Sequence, residues 1–244
     1  MSEAEEYQDA FARIEREVEE GRGDLGALGF WRLVRQIKRD PALSHHWAEE
    51  VGRIDRAAFE RWVRLRFPVW FGNAVLLVGS AVLVAFVPVA VALARDAASP
   101  EPVLPGLMLS AAAVGLATTL HDPAHWLVGR LAGIRFDWYF LDGPFRIQPG
   151  IKLDYASYLR ASPGARAWMH AAGAVASKVA PFAVFAAAYL PHRTANYDLF
   201  PPWAMWGTLG FGVLQIVTDL WWSTRKSDWK KVRRELRVAR GQRV

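Results

Sequence analysis

The chain of 244 residues contains no cysteine. That excludes a disulfide framework and any metal site built on thiolates. Its acidic start, MSEAEEYQDAF, has no basic segment leading into an apolar core, so no cleavable signal is visible. There is no internal repeat and no low-complexity tract. Charge is also missing from long stretches: there is none from Phe67 to Ala94 and none from Pro102 to Leu120. A mean hydropathy near zero therefore averages two unlike materials. The polar material lies in the first sixty-odd residues and the last twenty, and the apolar material between them.

At about 1.5 Å per helical residue, 67–94 is long enough to cross a hydrocarbon core of roughly 30 Å. Further candidates are 105–134, 167–190 and 200–222. The expected fold class is an all-α integral membrane protein with about four transmembrane helices across residues 67–222. A cytoplasmic or membrane-surface helical region, 1–66, precedes them, and a basic tail, 223–244, follows. Trp62, Trp70, Trp168, Trp203, Trp206, Trp221 and Trp222 fall near span ends, where indole rings anchor at the interface.

Lys and Arg concentrate before the first span, between spans two and three, and in the tail, while the other two loops hold only Arg95 and Arg193. The positive-inside rule then predicts a multi-pass protein of the cell (inner) membrane with both termini and the 135–166 loop in the cytoplasm. Beside a membrane span, the basic tail reads as a topology signal and a contact for anionic lipid, not nucleic acid. The partner expected from these segments is the bilayer.

Within 1–66, AFARIEREVEE, ALGFWRLVRQIKRD and DRAAFERWVRLRF have helical spacing, with GRGDLG as a break. In the 135–166 loop, IRFDWYF and FRIQPGIKLDY are rich in aromatic and β-branched residues. Punctuated by LDGP and QPG, they predict a small β-structure between spans two and three.

Three predicted spans carry an ionisable residue: Asp122, Lys178 and Asp219. Charge at membrane depth is costly and faces a partner or a polar interior. In TTLHDPAHWLVGRL, His121 and His125 stand one helical turn apart, a spacing that suits two ligands of tetrahedral zinc. The residue after the first histidine, Asp122, is placed to accept a proton from water beside that metal. A third ligand is needed, and Asp219 is the best candidate by depth in the bilayer. Asp122-Pro123 is also a helix-start pair, which allows a break in span two. Lys178 is expected to pair with Asp122 or Asp219, or to lie near the substrate carbonyl. His45 and His46 read as surface residues, and His170 and His192 as interfacial.

HDPAH at 121–125, the extended loop 135–158, AAGAVAS at 171–177 and LQIVTDL at 214–220 together resemble the site-2 protease family of intramembrane zinc metallopeptidases. That family carries His-Glu-x-x-His, an Ala-Gly-Pro-x-x-Asn segment and a distal aspartate in this order. The resemblance covers roughly residues 105–225. It implies zinc (Zn2+) held by His121, His125 and Asp219, with Asp122 as general base and a transmembrane protein or peptide as substrate; Asp142, which opens an Asp-Gly pair like the family's, is a secondary candidate ligand. Asp122 stands where the family has glutamate, Ala174 where it has proline, and Ser177 where it has asparagine. The implied activity is hydrolysis of peptide bonds in membrane-embedded substrates. The alternative is a catalytically silent homologue acting as a metal-binding or regulatory scaffold. A di-iron desaturase needs about eight histidines and His-x-x-His-His boxes; this chain has six histidines and no such box.

Overall fold

The computed structural model describes residues 3–96, 103–142, 148–195, 197–221 and 227–241. The chain divides into two units: Met1–Val69 with Val128–Trp168 and Arg233–Val244, and Trp70–Leu127 with Met169–Val232.

In the first unit, α1 (Glu3–Glu19), α2 (Phe30–Ile37), α3 (Pro41–His46) and α4 (Ala48–Trp62) turn their apolar faces toward one another. Phe11, Ile14, Val18, Phe30, Val34, Ile37, Trp47, Val51 and Ile54 form one core, which Leu159 of α8 (Tyr155–Arg160) completes. The N-terminal region is thus a packed helical unit with its own hydrophobic interior. Helix α4 meets α8 so closely that a Cβ on Gly52 would lie 2.8 Å from the Cβ of Ala156, so only glycine fits there.

The expected β-structure is present and larger than its loop. Strands β1 (Arg66–Pro68), β2 (Phe136–Asp142) and β3 (Gln148–Leu153) form an antiparallel sheet with β2 in the middle. The first strand comes from the residues ahead of the first long apolar helix, a pairing that local sequence cannot announce. Gln148-Pro149-Gly150, expected as a turn, lies inside β3. An edge strand tolerates a proline, because the missing N–H falls on the unpaired side.

The residues read as a solvated basic tail include a helix, α11 (Asp228–Gly241). Its Glu235 is 1% exposed. The carboxylate pairs with Lys38 Nζ and accepts from Arg166 Nε at 2.7 Å and Tyr158 Oη at 3.0 Å. One acid partnering two buried cations fixes this helix in the fold.

The second unit holds α5 (Val69–Asp96), α6 (Val103–Thr119), α7 (His121–Leu131), most of α9 (Pro163–Thr194) and α10 (Pro202–Trp221). Among the described residues, three helical stretches are long and apolar enough to cross a membrane: Val69–Asp96, Val103–Leu131 and Pro163–Thr194. Ala90, Ala94, Ala112, Ala113, Ala180 and Ala188 line the interior, and small residues of this kind let helices approach closely. Apolar side chains also face outward; Val78 is 65% exposed and Val84 56%. That surface suits hydrocarbon and not water.

The predicted second span is two helices with an interruption at Leu120. Bonds from Leu120 N to Leu116 O and from Ala124 N to Leu120 O, both 3.1 Å, carry the helical course across it. Pro123 has no N–H to give, which weakens the ladder there. Helix α7 begins at His121, so Asp122 lies in its first turn and not outside as a cap.

Candidate metal centre

His121 and His125 are one turn apart on α7 and present their imidazoles to the same point, as their spacing requires. The structure adds an acid from α11. His121 Nε2, His125 Nε2 and Asp228 Oδ2 form a nearly equilateral triangle: 3.2 Å between the two nitrogens, 3.2 Å from His125 to Asp228 and 3.3 Å from His121 to Asp228. This buried to half-buried group can hold a metal ion. A tetrahedral metal with bonds of about 2.0–2.1 Å has ligand-to-ligand edges of roughly 3.3–3.4 Å, so the triangle has the size of one tetrahedral face.

The tautomer of His125 is set by geometry. Its Nδ1 lies 2.7 Å from the carbonyl oxygen of Met169, which only accepts, so Nδ1–H donates. In the neutral ring, Nε2 then carries a lone pair aimed at the centre of the triangle. A backbone carbonyl on the outer nitrogen is the arrangement that orients ligating histidines. The lone pairs of two imidazoles and a carboxylate repel one another at 3.2–3.3 Å unless positive charge lies between them. Protons on Nε2 supply some of that charge, and a divalent cation supplies more.

Other groups hold the donors in place. Lys231, one turn along α11, contacts the second carboxylate oxygen of Asp228 at 2.9 Å. Burial pushes the Asp228 carboxyl up, but when the Nε2 atoms of His121 and His125 carry protons their hydrogen bonds outweigh it and hold the group well below the usual carboxylate range. A Cβ on Gly173 of α9 would lie 2.3 Å from His125 Nε2, so the imidazole occupies the space that any other residue would fill.

Asp122 is 8% exposed and makes no hydrogen bond or ion pair among the described residues. Its charge interacts through space with His121, His125, Asp228 and Lys231.

The two predicted histidines come together here, but Asp219 does not join them. Its carboxylate is 2.5 Å from Lys178 Nζ, one of the pairings expected for that lysine. Lys178 lies five residues beyond Gly173 on α9, about 7.5 Å along the axis. The acid that completes the triangle, Asp228, had been read as part of the tail. Its signal was present: in the stretch from Leu220 to Arg234 it is the only acid, and it opens an amphipathic helix directly after the last apolar segment. The side chain of Asp142, the secondary candidate, lies outside the described residues.

Ser177 donates to the carbonyls of Gly173 and Ala174 on its own helix, at 3.0 and 3.2 Å. His170 was expected at the interface but is 7% exposed, with its ring centroid 6.3 Å from that of His125. His45 and His46 are exposed, as expected.

Comparison with protein-family models, curated proteins and solved structures gives no match to this chain.

Proposed function

We propose that the chain is an intramembrane metallopeptidase that hydrolyses peptide bonds of membrane-embedded substrates, with zinc held by His121, His125 and Asp228. The observation that carries this reading is the triangle of donor atoms, with Asp122 in the same helical turn as both histidines. Two imidazoles and one carboxylate leave a fourth tetrahedral position open, the ligand complement of catalytic and not of closed structural zinc. The likeness of HDPAH and AAGAVAS to site-2 protease motifs supports the same reaction, with Asp228 in the role first assigned to Asp219.

In this reading α10, 20 residues long, is a fourth span. Four spans and the distribution of Lys and Arg put both termini and the β-sheet on the cytoplasmic side of the inner membrane. Zinc bound at the triangle polarises a scissile carbonyl and lowers the pKa of water. The chain's residues do the remainder. The Met169 carbonyl keeps His125 in the tautomer that presents Nε2, and Lys231 fixes the orientation of Asp228. Asp122 accepts the proton of the attacking water and returns it to the leaving amine.

One observation favours a second reading. Asp122 is a methylene shorter than glutamate, and proton transfer is sensitive to placement. A metal-binding scaffold without proteolysis fits that shorter arm. The test is to purify the protein, measure its zinc content and offer it transmembrane peptides. Cleavage that disappears in H121A, and in D122N with zinc retained, supports the peptidase. One zinc per chain without cleavage of any helical substrate leaves the scaffold. Absence of stoichiometric metal in the wild type sinks both.

A further inference from the structure

We infer that the first unit carries a binding pocket for a multiply phosphorylated anion, built from α2 and α11. Arg35, Lys38 and Arg39 line one side of a cavity of about 580 Å³, and Arg234, Arg237 and Val238 line the other. That volume lies within the roughly 300–1,000 Å³ of ordinary ligand pockets. The lining contains no acid.

Helical spacing accounts for the convergence. Arg35, Lys38 and Arg39 stand at i, i+3 and i+4, and Arg234, Arg237 and Val238 repeat that spacing, so each set shares one face. Like charges at such spacing destabilise a helix, and two such faces set against each other add to the repulsion. Arg35, Arg39, Arg234 and Arg237 make no ion pair among the described residues. Lys38 is the exception, and the Glu235 carboxylate that it contacts is shared with Arg166. Burial, with Arg166 and Arg234 adding to it against the pull of Glu235, pushes the Lys38 ammonium down to about 8. The wall thus holds more positive charge than its own acids compensate.

An anion relieves this surplus. The C-terminal end of α2 opposes it with about half a negative charge, far less than the five cations of the wall supply. Guanidinium forks match phosphate oxygens in pairs, and two opposed pairs of arginines suit a ligand with at least two phosphate groups. A soluble polyphosphate and a phosphorylated lipid headgroup share this chemistry.

The test uses the full chain. In detergent it is titrated calorimetrically with inorganic pyrophosphate. In phosphatidylcholine nanodiscs, with and without phosphatidylinositol bisphosphate, amide exchange is followed over 35–39 and 234–241. The double variant R39Q/R237Q should weaken binding by roughly tenfold or more, since each lost pair of charge-assisted bonds is worth that much. Because these arginines pair with no acid among the described residues and repel one another, the variant should unfold at or slightly above the wild-type temperature. R13Q/R16Q removes the same charge from the exposed face of α1 and should bind as wild type. Binding of pyrophosphate identifies a soluble ligand, and protection by the lipid alone identifies a headgroup; either supports the pocket. Failure of both probes overturns it, as does equal weakening in the two double variants.

Discussion

In the first unit, Glu235 is almost wholly buried, and each of its contacts with Lys38, Arg166 and Tyr158 brings a donor to its carboxylate. In the second, His121, His125 and Asp228 bring lone pairs to within 3.3 Å of one another. Both are clusters of buried or half-buried polar groups tied to α11, yet their chemistry is opposite. A carboxylate surrounded by donors is satisfied by the fold itself. Acceptors that converge on one point can hold a cation from outside the chain. The direction of donors and acceptors, more than burial or charge, separates the two clusters.

The largest effects should come from removing a vertex of the triangle. H125A or D228A is expected to reduce zinc from one per chain to near none and to lower hydrolysis at least about a thousandfold. Metal analysis alongside peptide cleavage checks both. If D219A, and not D228A, loses the metal, the assignment of the third vertex is wrong. G173A should lose metal while keeping its helical circular dichroism, because the added methyl occupies the place of the His125 ring.

Next in size is E235Q. It leaves Lys38 and Arg166 without their shared anion, which costs roughly 3–5 kcal/mol for a buried pair. Zinc content should not change if the two clusters are as different as their geometry says. A pH series sharpens the contrast. Burial pushes Glu235 up, but Lys38 and Arg166 outweigh it and hold its carboxyl below the ordinary glutamate value. A group with a depressed folded pKa contributes its full stability above the unfolded pKa and loses it as pH falls through the folded one. Urea unfolding of the wild type should therefore weaken as pH drops below the ordinary glutamate value, and E235Q should flatten that part of the dependence.

The smallest effect is expected at the Lys178–Asp219 pair. K178M should destabilise the protein by about 1–3 kcal/mol, as for a hydrogen bond between charged groups. Because the pair stands apart from the triangle, zinc content and cleavage should stay at wild-type level. A drop in either would draw Lys178 into the site.

Much of the second unit was legible before its structure. Long uncharged runs announce helices of membrane-spanning length, since no other arrangement satisfies that much backbone away from water. The pairing of His121 with His125 is equally local: four residues of α-helix bring two side chains onto one face. Asp219 was chosen for its expected depth in the bilayer, and in the structure its partner is Lys178. Asp228 was overlooked because a segment dense in Lys and Arg reads as solvated. Only the packed second unit brings Asp228 to the histidines, which lie 103 residues earlier in sequence at His125. The strand at Arg66–Pro68 was hidden for the same reason, since its partner begins about seventy residues later.

The sequence by itself determined the helices, the apolar stretches long enough for a membrane, and two of the three vertices of the cluster that could hold a metal. Those properties depend on hydrophobic runs and on the period of the helix, which any short window contains. Tertiary structure alone decided the third vertex, the tautomer of His125, the need for Gly173 and the facing arginines of the anion pocket. Each of these depends on where distant segments meet, and only the packed chain determines that.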